Sequence, residues 1–432
     1  MVTNPPRGHL NVVVVGAGPA GAALSLLLAR AGVRVRLIER EIASTRVFRG
    51  EGFLPLGLDA LREMRLGWSI TDIPGLPVRS WRIFIGGEQV FTIPEPVAQL
   101  GERAFRVASP SALIDRIIED ARRQSTFMFH PGMRFVAPLR DDDGRVSGIR
   151  ASGDDGDVEW PADLVVGCDG RGSAVRTRAG LALRQEPEQY DVLWFKVPPP
   201  RELSGHCDFL IMVRAGEHPL IAYTSWDGML QVGLIMPKGT LGSIRDGGDW
   251  VAAAVRSAPD WLADHIVARR DQVEGPIRLN VLVGRAPAWS APGVLLLGDA
   301  AHPVSPVRAQ GINLALRDVV VAANHLIPLA RGADPEVIDA ACMAIQAERE
   351  PEVARAQKLQ RREAQGQGDA RAGSWRFTLA RHGAKLLGRY AWAQRAWLHR
   401  QHDLRFGSVE VRLDPSALGA ITTTAYPASH AG

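Results

Sequence analysis

The feature that most constrains this chain is a glycine-rich turn between a short apolar strand and a helix near the N-terminus. Residues 11–15 form a β-branched run, which predicts a buried parallel strand. A helix is predicted from about Pro19 to Ala31, and its positive end would point at a phosphate group. The turn and the helix start share the fingerprint residues Gly16, Ala17, Gly18, Pro19, Ala20 and Gly21. This arrangement predicts that the chain binds a dinucleotide.

A second predicted strand, residues 33–38, supports this interpretation because it ends at an acid. Glu39 lies 18 residues past Gly21, where a carboxylate accepts hydrogen bonds from an adenosine ribose. We include the adjacent Arg40 in the predicted site. The apolar run 12–29 also resembles a signal peptide or a membrane span. We favour the dinucleotide site, because the glycines have the fingerprint spacing and a membrane span leaves Glu39 unexplained.

Composition limits which classes of protein this chain belongs to. A chain of 432 residues suits two closely packed domains, and a mean hydropathy of −0.04 argues against an integral membrane protein. The net charge of +4 is too small and too scattered for a nucleic-acid binder. Three widely spaced cysteines form neither a metal pattern nor a disulfide framework, so we expect a reducing, cytoplasmic location and no metal.

Two more apolar strands run into a glycine and an acid. Residues 164–166 lead to Gly167, Cys168, Asp169 and Gly170, and residues 294–297 lead to Gly298 and Asp299. Ligands bind at the carboxyl ends of strands in open parallel sheets, so both aspartates are expected to converge on the dinucleotide. For Asp169, an ordinary Asp-Gly turn is the alternative.

Together, these segments resemble the class A flavoprotein monooxygenases with the para-hydroxybenzoate hydroxylase fold, over roughly residues 10–345. The second match extends to Ser173, Val175 and Arg176, and the third to His302. The resemblance implies FAD as the cofactor, with Asp299 on its ribityl chain and Pro306 beside its isoalloxazine ring. It also implies that Gly311, Ile312 and Asn313 bind the pyrimidine end of the flavin. His302 lacks zinc-type spacing and is interpreted as a structural residue of its loop.

The chain departs from the family pattern at two places, Arg308 and the stretch 109–111, and it matches the pattern at Arg49. Many members carry glycine where this chain has Arg308, and glycine or alanine where it has Ala309. Arg308 would tune the flavin, bind an acidic substrate or pair at the surface. Arg106 is a substitute for a family residue that touches the FAD phosphates, and Arg49 lies where members often place an arginine near the cofactor. For both arginines, solvent exposure is the alternative.

The predicted fold is α/β, with a Rossmann-like FAD-binding domain interrupted by a β-rich substrate domain and followed by C-terminal helices. The FAD-binding domain is assigned to residues 1–75, 100–182 and 286–345, and the β-rich domain to 76–99 and 183–285. Residues 346–432 are assigned to a helical region and a disordered tail. The helices are expected to break near Pro351 and at 366–373. A basic amphipathic helix there is able to lie on an anionic membrane, but we favour packing on the FAD domain.

The implied reaction uses NADPH or NADH to reduce FAD, after which oxygen adds and a flavin hydroperoxide transfers one oxygen atom to a substrate. The expected substrate is an aromatic or lipophilic small molecule, which is hydroxylated or epoxidised. Tyr223 and His206 are candidate bases for a phenol, although a half-buried tyrosine and a loop histidine explain both. A prenyl-chain reductase, a halogenase, and an FAD-containing cyclase or binding scaffold without redox turnover are the alternatives. The chain is expected to be a monomer or a homodimer.

Overall fold

The computed structural model describes residues 8–42, 50–187, 190–240, 249–368, 382–386, 388 and 390–420. The helices, in chain order, are α1 Pro19–Arg30, α2 Pro55–Glu63, α3 Val97–Leu100, α4 Pro110–Arg122, α5 Ala174–Arg178, α6 Trp250–Val255, α7 Asp260–Ala268, α8 Gln310–Leu326, α9 Pro335–Gly368, α10 Ala391–Arg400, α11 His402–Phe406 and α12 Pro415–Ala420.

Twenty strands alternate with these helices. They are β1 Asn11–Val15, β2 Arg34–Glu39, β3 Gly52–Phe53, β4 Gly75–Ile85, β5 Glu88–Pro94, β6 Arg106–Ala108, β7 Phe127–Pro131, β8 Arg134–Arg140, β9 Val146–Gly153, β10 Gly156–Pro161, β11 Leu164–Gly167, β12 Arg184–Glu186, β13 Tyr190–Val197, β14 Cys207–Val213, β15 Leu220–Thr224, β16 Leu230–Pro237, β17 Glu274–Leu279, β18 Val283–Arg285, β19 Ser290–Ala291 and β20 Val294–Leu296. These counts refer to the described residues.

A six-stranded sheet carries all three glycine-containing segments. Its strand order is β19-β20-β11-β1-β2-β7, and every pairing except β19-β20 is parallel. The strands β1, β11 and β20 are neighbours, so the three motifs that follow them meet at one sheet edge. The predicted α/β fold is confirmed.

The side chains of β1 alternate between two cores, as the period of two in a strand requires. Val12 and Val14 pack with the apolar faces of α1, α4 and α8. Val13 and Val15 point to the opposite face, towards Phe135 and other side chains of the β8–β10 meander. Because both faces are covered, β1 is apolar throughout, which is why its sequence reads as a continuous valine run.

The second large sheet runs in the order β17-β13-β16-β15-β14-β4-β6-β3, and β5 pairs with β4. One face carries Leu210, Met212 and Leu234, which pack under α6 and α7. The other face carries Trp81 and Phe209 and turns toward the motif edge of the first sheet. The residue boundaries assigned to the two domains remain a prediction.

The expected break near Pro351 is wrong, because α9 runs through that residue from Pro335 to Gly368. A proline inside a helix removes one backbone hydrogen bond, so tertiary contacts must hold the helix together. Arg349 and Glu352, on either side of Pro351, are buried and pair with each other and with Asp318 and Arg317 of α8. The expected break at 366–373 extends beyond the described residues, as does the predicted disordered tail.

One helical stretch, Val307–Leu329, is long and apolar enough to cross a membrane by length and composition, and its most apolar window is 72% buried within the protein. This stretch contains α8, which forms part of the core beside α1. The N-terminal apolar run is divided between β1 and α1 of the same core.

Candidate active site

A cavity of about 460 Å³ lies between the motif edge of the six-stranded sheet and the aromatic face of the larger one. Its first side is formed by the glycine turn, the loop at 298–299 and the stretch 304–312. Its second side is formed by aromatic and aliphatic side chains, namely Trp81, Phe105, Tyr190, Val192, Trp194, Phe209, Ile211, Ile221, Tyr223, Ile235 and Leu279. A cavity of this size and lining is typical of small-molecule sites.

Three glycines shape the first side. Gly16 has φ +97°, and a Cβ there would lie 2.6 Å from the Cys168 carbonyl oxygen. A Cβ at Gly21 would lie 1.9 Å from the Gly16 carbonyl oxygen, so only glycine lets α1 approach the turn. At Gly18 a Cβ would meet no atom within 4 Å, and this residue lines the cavity at the start of α1. The open space at a helix N-terminus fits a pyrophosphate group.

Glu39 lies at the end of β2, beside this turn. Its Oε2 accepts a hydrogen bond from the Ala17 N–H at 2.7 Å, and its Oε1 accepts one from the Glu41 N–H at 3.2 Å. The carboxylate is therefore held next to the glycine turn. Arg40 points to solvent, with its side chain 73% exposed and paired with Glu41. Contacts of Glu39 and Arg40 with a cofactor remain predictions.

The Asp169 carboxylate faces a short helix instead of the cavity. Its Oδ1 accepts from the Ser173 hydroxyl at 2.5 Å, and its Oδ2 accepts from the N–H groups of Ala174 and Val175 at 2.7 and 3.0 Å. The cavity is lined instead by its neighbours Cys168 and Gly170. The expected convergence of two aspartate side chains is thus corrected to one. A backbone contact of Asp169 with the cofactor remains a prediction.

Asp299 is the aspartate whose side chain stands at the cavity. No described residue donates a hydrogen bond to its carboxylate, and a Cβ at Gly311, at the start of α8, would be 3.8 Å from its Oδ1. Burial raises its pKa above the usual value, and the nearby positive charge of Arg171 opposes that shift. A partly buried acceptor with no donor among the described residues is suited to a ligand hydroxyl.

A buried polar network holds the loop of Asp299. The Asp318 carboxylate of α8 accepts hydrogen bonds from the Gly298 N–H at 3.0 Å, from the His302 ring at 2.7 Å and from the Arg349 guanidinium at 2.8 Å. His302 also packs against Trp289. These contacts agree with a structural role for His302. Burial raises the pKa of Asp318, but His302 and Arg349 outweigh it and hold that pKa below its usual value.

The stretch after Pro306, which lines the cavity, adopts an unusual backbone. Arg308 and Ala309 have φ +62° and +50°, a left-handed region that favours glycine and costs about 1 kcal/mol for other residues. Helix α8 begins at Gln310, and Gly311 and Ile312 line the cavity.

Asn313 does not line the cavity, unlike its neighbours. Its Oδ1 accepts from the Leu54 N–H at 2.9 Å, and its Nδ2 donates to the carbonyls of Gly52 and Ala309 at 3.0 and 2.5 Å. Its side chain therefore ties α8 to β3. The implied flavin contact would have to come from its backbone and remains a prediction.

Arg308 is not a surface residue. Its guanidinium contacts the rings of both Trp81 and Trp397, 4.7 and 4.6 Å from their centroids, and its Nε donates to Glu363 at 2.6 Å. The side chain is 12% exposed, and its Nη1 has no hydrogen-bond partner among the described residues. The surface-pairing alternative is therefore wrong. Through Trp397, the C-terminal helix α10 packs against Trp81 of the β-rich sheet and against Arg308. The expected packing of this helix on the FAD-binding domain remains a prediction.

The two other candidate arginines, Arg106 and Arg49, do not line the described part of the cavity. Arg106 lies in β6 behind Phe105, is buried, and is not among the described residues that line the cavity. Burial lowers its pKa, and its Nε has no hydrogen-bond partner. A phosphate contact of Arg106 remains a prediction. Arg49 lies outside the described residues.

The second side of the cavity, which we call the aromatic wall, includes one face of β14. Phe209 and Ile211 line the cavity, and Phe209 stacks on Tyr223 with ring centroids 4.4 Å apart. Burial raises the pKa of Tyr223, so it remains a neutral phenol at the cavity. His206 is not among the described residues that line the cavity, and it lies 3.6 Å from Asp208, so the structure does not bring this candidate base to the site.

The residue that the sequence did not single out is Glu51. It precedes β3, lines the cavity and is buried. Its only sequence signal was its position inside the Arg-Gly-Glu-Gly run at 49–52. Among the described residues, no group of three or more histidines, cysteines or acids is placed to hold a metal ion.

Comparisons with known proteins agree with this geometry. A family model described as FAD binding domain matches residues 9–358. The 6-methylpretetramide 4-monooxygenase of Streptomyces rimosus is 35% identical over 362 residues, which cover 82% of this chain and 83% of that protein. Squalene epoxidase 1 of Arabidopsis thaliana is 26% identical over 325 residues, 74% of this chain and 60% of its own length. The crystal structure of the p-nitrophenol 4-monooxygenase PnpA from Pseudomonas putida DLL-E4 has a TM-score of 0.75 at 21% identity and covers 93% of this chain and 99% of that one.

The cavity fits the cofactor that these matches imply. The open space at Gly18 suits the pyrophosphate of FAD, and the unpartnered carboxylate of Asp299 suits a ribityl hydroxyl. FAD is the cofactor, and NADPH or NADH is the typical reductant of such enzymes. The chain therefore belongs to the FAD binding domain family and is a class A flavoprotein monooxygenase.

Proposed function

We propose that this monooxygenase hydroxylates a flat, electron-rich aromatic compound, with fused-ring phenols as the leading class. The observation that carries this proposal is the aromatic wall. Trp81 and Phe105 stack with centroids 5.6 Å apart, Phe209 lies 4.9 Å from Trp81, and Tyr223 stacks on Phe209. Aromatic rings favour offset stacking with a flat partner. The name of the Streptomyces relative, a 6-methylpretetramide 4-monooxygenase, supports the same class.

The roles of the protein follow from the geometry. Bound FAD supplies the redox and oxygen chemistry, which no described side chain offers. The N-terminus of α1 at Gly18 would hold its pyrophosphate, and Asp299 would hold the ribityl chain. The second side of the cavity is almost wholly apolar, which would exclude water from the reacting atoms and orient the aromatic ring.

Helix α10 packs behind the wall of this cavity. Trp397 lies 5.6 Å from Trp81, and the Arg308 guanidinium contacts both rings. A permanent positive charge beside an aromatic site would favour a substrate that carries a phenolate or another acidic oxygen. Arg308 is therefore proposed as the residue that selects electron-rich, acidic substrates.

A second candidate is epoxidation of a lipophilic chain. It is favoured by the aliphatic part of the wall, where Ile211, Ile221, Ile235 and Leu279 line the cavity, and by the squalene epoxidase relative. The aromatic side chains cover more of the same wall, so phenols are tested first.

The test measures NADPH, NADH and oxygen consumption by the purified yellow protein with fused-ring phenols, quinones and prenylated compounds. Hydroxylation predicts oxygen use that saturates with a phenol and yields a hydroxylated product. Oxygen use only with a lipophilic alkene would favour epoxidation. Substrate reduction without oxygen use would indicate a reductase, and a halide requirement would indicate a halogenase. Bound flavin that neither nicotinamide reduces would indicate a cyclase or scaffold.

Membrane contact, oligomeric state and location are separate proposals. Tyr390 and Trp392 next to Trp397 are exposed, which supports peripheral contact of the C-terminal segment with a lipid surface. Flotation with anionic vesicles tests it, and failure to float would contradict it. We also propose a monomer or homodimer in the cytoplasm, where NAD(P)H is present. Light scattering tests the oligomeric state, and cell fractionation tests the location.

A further inference from the structure

Glu51 is a buried acid at an apolar cavity, a position that packing alone does not explain. Its side chain is 4% exposed, and it lines the cavity between the motif loop and the aromatic wall. Its Oε2 accepts a hydrogen bond from the Ser225 hydroxyl at 2.6 Å, and its Oε1 is 3.7 Å from the Lys196 ammonium. Burying a carboxylate is unfavourable, and Lys196, Ser225 and a hydrogen bond from the Trp226 backbone only partly offset this, because the pKa of Glu51 stays above its usual value.

The partners of Glu51 continue to the protein surface. The Lys196 ammonium donates to the Ser225 hydroxyl at 3.0 Å and also to the Asp227 carboxylate. Ser225 is fully buried, and the exposure of the three charged side chains rises from 4% at Glu51 to 19% at Lys196 and 28% at Asp227. Four polar side chains in contact thus connect the cavity with solvent, and an apolar wall would not need such a path for packing.

We propose that Glu51 is the base that takes the hydroxyl proton of a bound phenol, and that Ser225, Lys196 and Asp227 pass this proton to solvent. This inference rests on the proposed function. The phenolic O–H bond breaks, its electron pair stays on the oxygen, and an O–H bond forms on Glu51. Lys196 then releases a proton to water through Asp227. Ser225 passes its hydroxyl proton to the neutral Lys196 amine, and the protonated Glu51 gives its proton to the Ser225 oxygen, which restores all four groups. The net result is one phenolate and one proton in water.

Electrostatics support this role. Burial raises the pKa of Glu51 above its usual value, and the charge of Lys196 on β13 opposes the shift. Asp227, on the turn between β15 and β16, raises it further, and Tyr223 and Cys207 on β15 and β14 are the other titratable groups that interact with it. A carboxylate with a raised pKa is a stronger base toward a phenol. Activity should therefore fall as the pH falls through a pKa above the usual glutamate value.

The test compares Glu51→Gln with the wild-type holoenzyme by two readouts. The first is the ratio of dissociation constants for the tightest-binding hydroxynaphthalene or hydroxyanthraquinone and for its methyl ether, which has no proton to give. We expect the wild type to prefer the phenol by at least roughly tenfold, as for a hydrogen bond to a charged group, and the variant by less than about threefold. The second is the pH profile of kcat/KM, whose acid limb should flatten in the variant.

Controls separate this role from a structural one. Asp208→Asn removes a buried charge on β14 outside the cavity lining, so it should keep both readouts. Ser225→Ala breaks the path but keeps Glu51, so it should retain the phenol preference and slow turnover at least fivefold. Ser225→Ala also tests the inference if Glu51→Gln loses FAD or fails to fold. An unchanged preference and acid limb in Glu51→Gln, or full turnover in Ser225→Ala, would overturn the inference and leave the proposed function standing. If no phenol binds or is oxidised, both are overturned.

Discussion

The two glycines at the start of α1 allow a prediction that separates cofactor binding from folding. Gly18→Ala should leave the FAD-free protein as stable as wild type, because φ is −71° and the new methyl group meets no protein atom within 4 Å. The methyl group would occupy the space that a pyrophosphate needs. Losing one charge-assisted hydrogen bond costs about 1.5–3 kcal/mol, so FAD should bind roughly tenfold to a hundredfold more weakly.

Gly21→Ala should show the opposite pattern, since its methyl group would lie 1.9 Å from the Gly16 carbonyl oxygen. Forcing α1 away from the turn costs about 3 kcal/mol, and the better helix propensity of alanine returns about 1 kcal/mol. We therefore expect a net loss of about 2 kcal/mol in the FAD-free protein. Flavin fluorescence titration and urea unfolding measure the two effects. Wild-type FAD affinity in Gly18→Ala, or wild-type stability in Gly21→Ala, would refute the geometry.

Three further predictions concern the walls of the site. Asp318→Asn removes one of the two buried carboxylates that pair with Arg349 and weakens the loop at 298–302. Urea unfolding should therefore show a loss of about 3 kcal/mol together with weaker FAD binding, and wild-type stability would contradict this. The pKa values of Asp318 and Glu352 are lowered in the folded protein, so the stabilisation by these carboxylates is present above about pH 4 and is lost as the pH falls through their folded pKa values. Measurements of the unfolding free energy from pH 6 to pH 2 will check this. An unfolding free energy that does not change over this range would contradict it. Trp397→Ala removes the ring that packs behind Trp81 and Arg308 of the cavity wall. The looser wall should admit water and increase the NADPH consumed per product formed at least about twofold, and Tyr390→Ala, at an exposed position, serves as the control.

Much of this fold could be predicted from sequence because its signals are local. The valine run of β1 and the glycines after it define strand, turn and helix within a dozen residues, and the same holds for β11 and β20. The start of α4 is equally local, since the Ser109 hydroxyl caps the helix by accepting from the Ala112 N–H at 3.2 Å. Each feature depends on near neighbours in the chain.

The errors concern contacts between distant segments. Pro351 was expected to break a helix, but buried ion pairs with α8 hold it continuous. Asp169 is a local exception: its side chain was expected to converge with Asp299 on the dinucleotide, but the start of α5, five residues further along the chain, uses its oxygens. Glu51 meets Ser225 across 174 residues, and no pattern in one sequence indicates such a pair. The role of Arg308 depended on Trp397, 89 residues further along the chain.

The most direct test of the central claim is the fate of molecular oxygen. The holoenzyme should be supplied with NADPH, a fused-ring phenol that it oxidises, and oxygen labelled with the 18 isotope. A monooxygenase acting through this cavity will place one labelled atom in the phenol, which mass spectrometry will detect as a gain of 18 mass units in place of 16. Product that takes its new oxygen from water, or substrate that changes without gaining oxygen, would contradict the account.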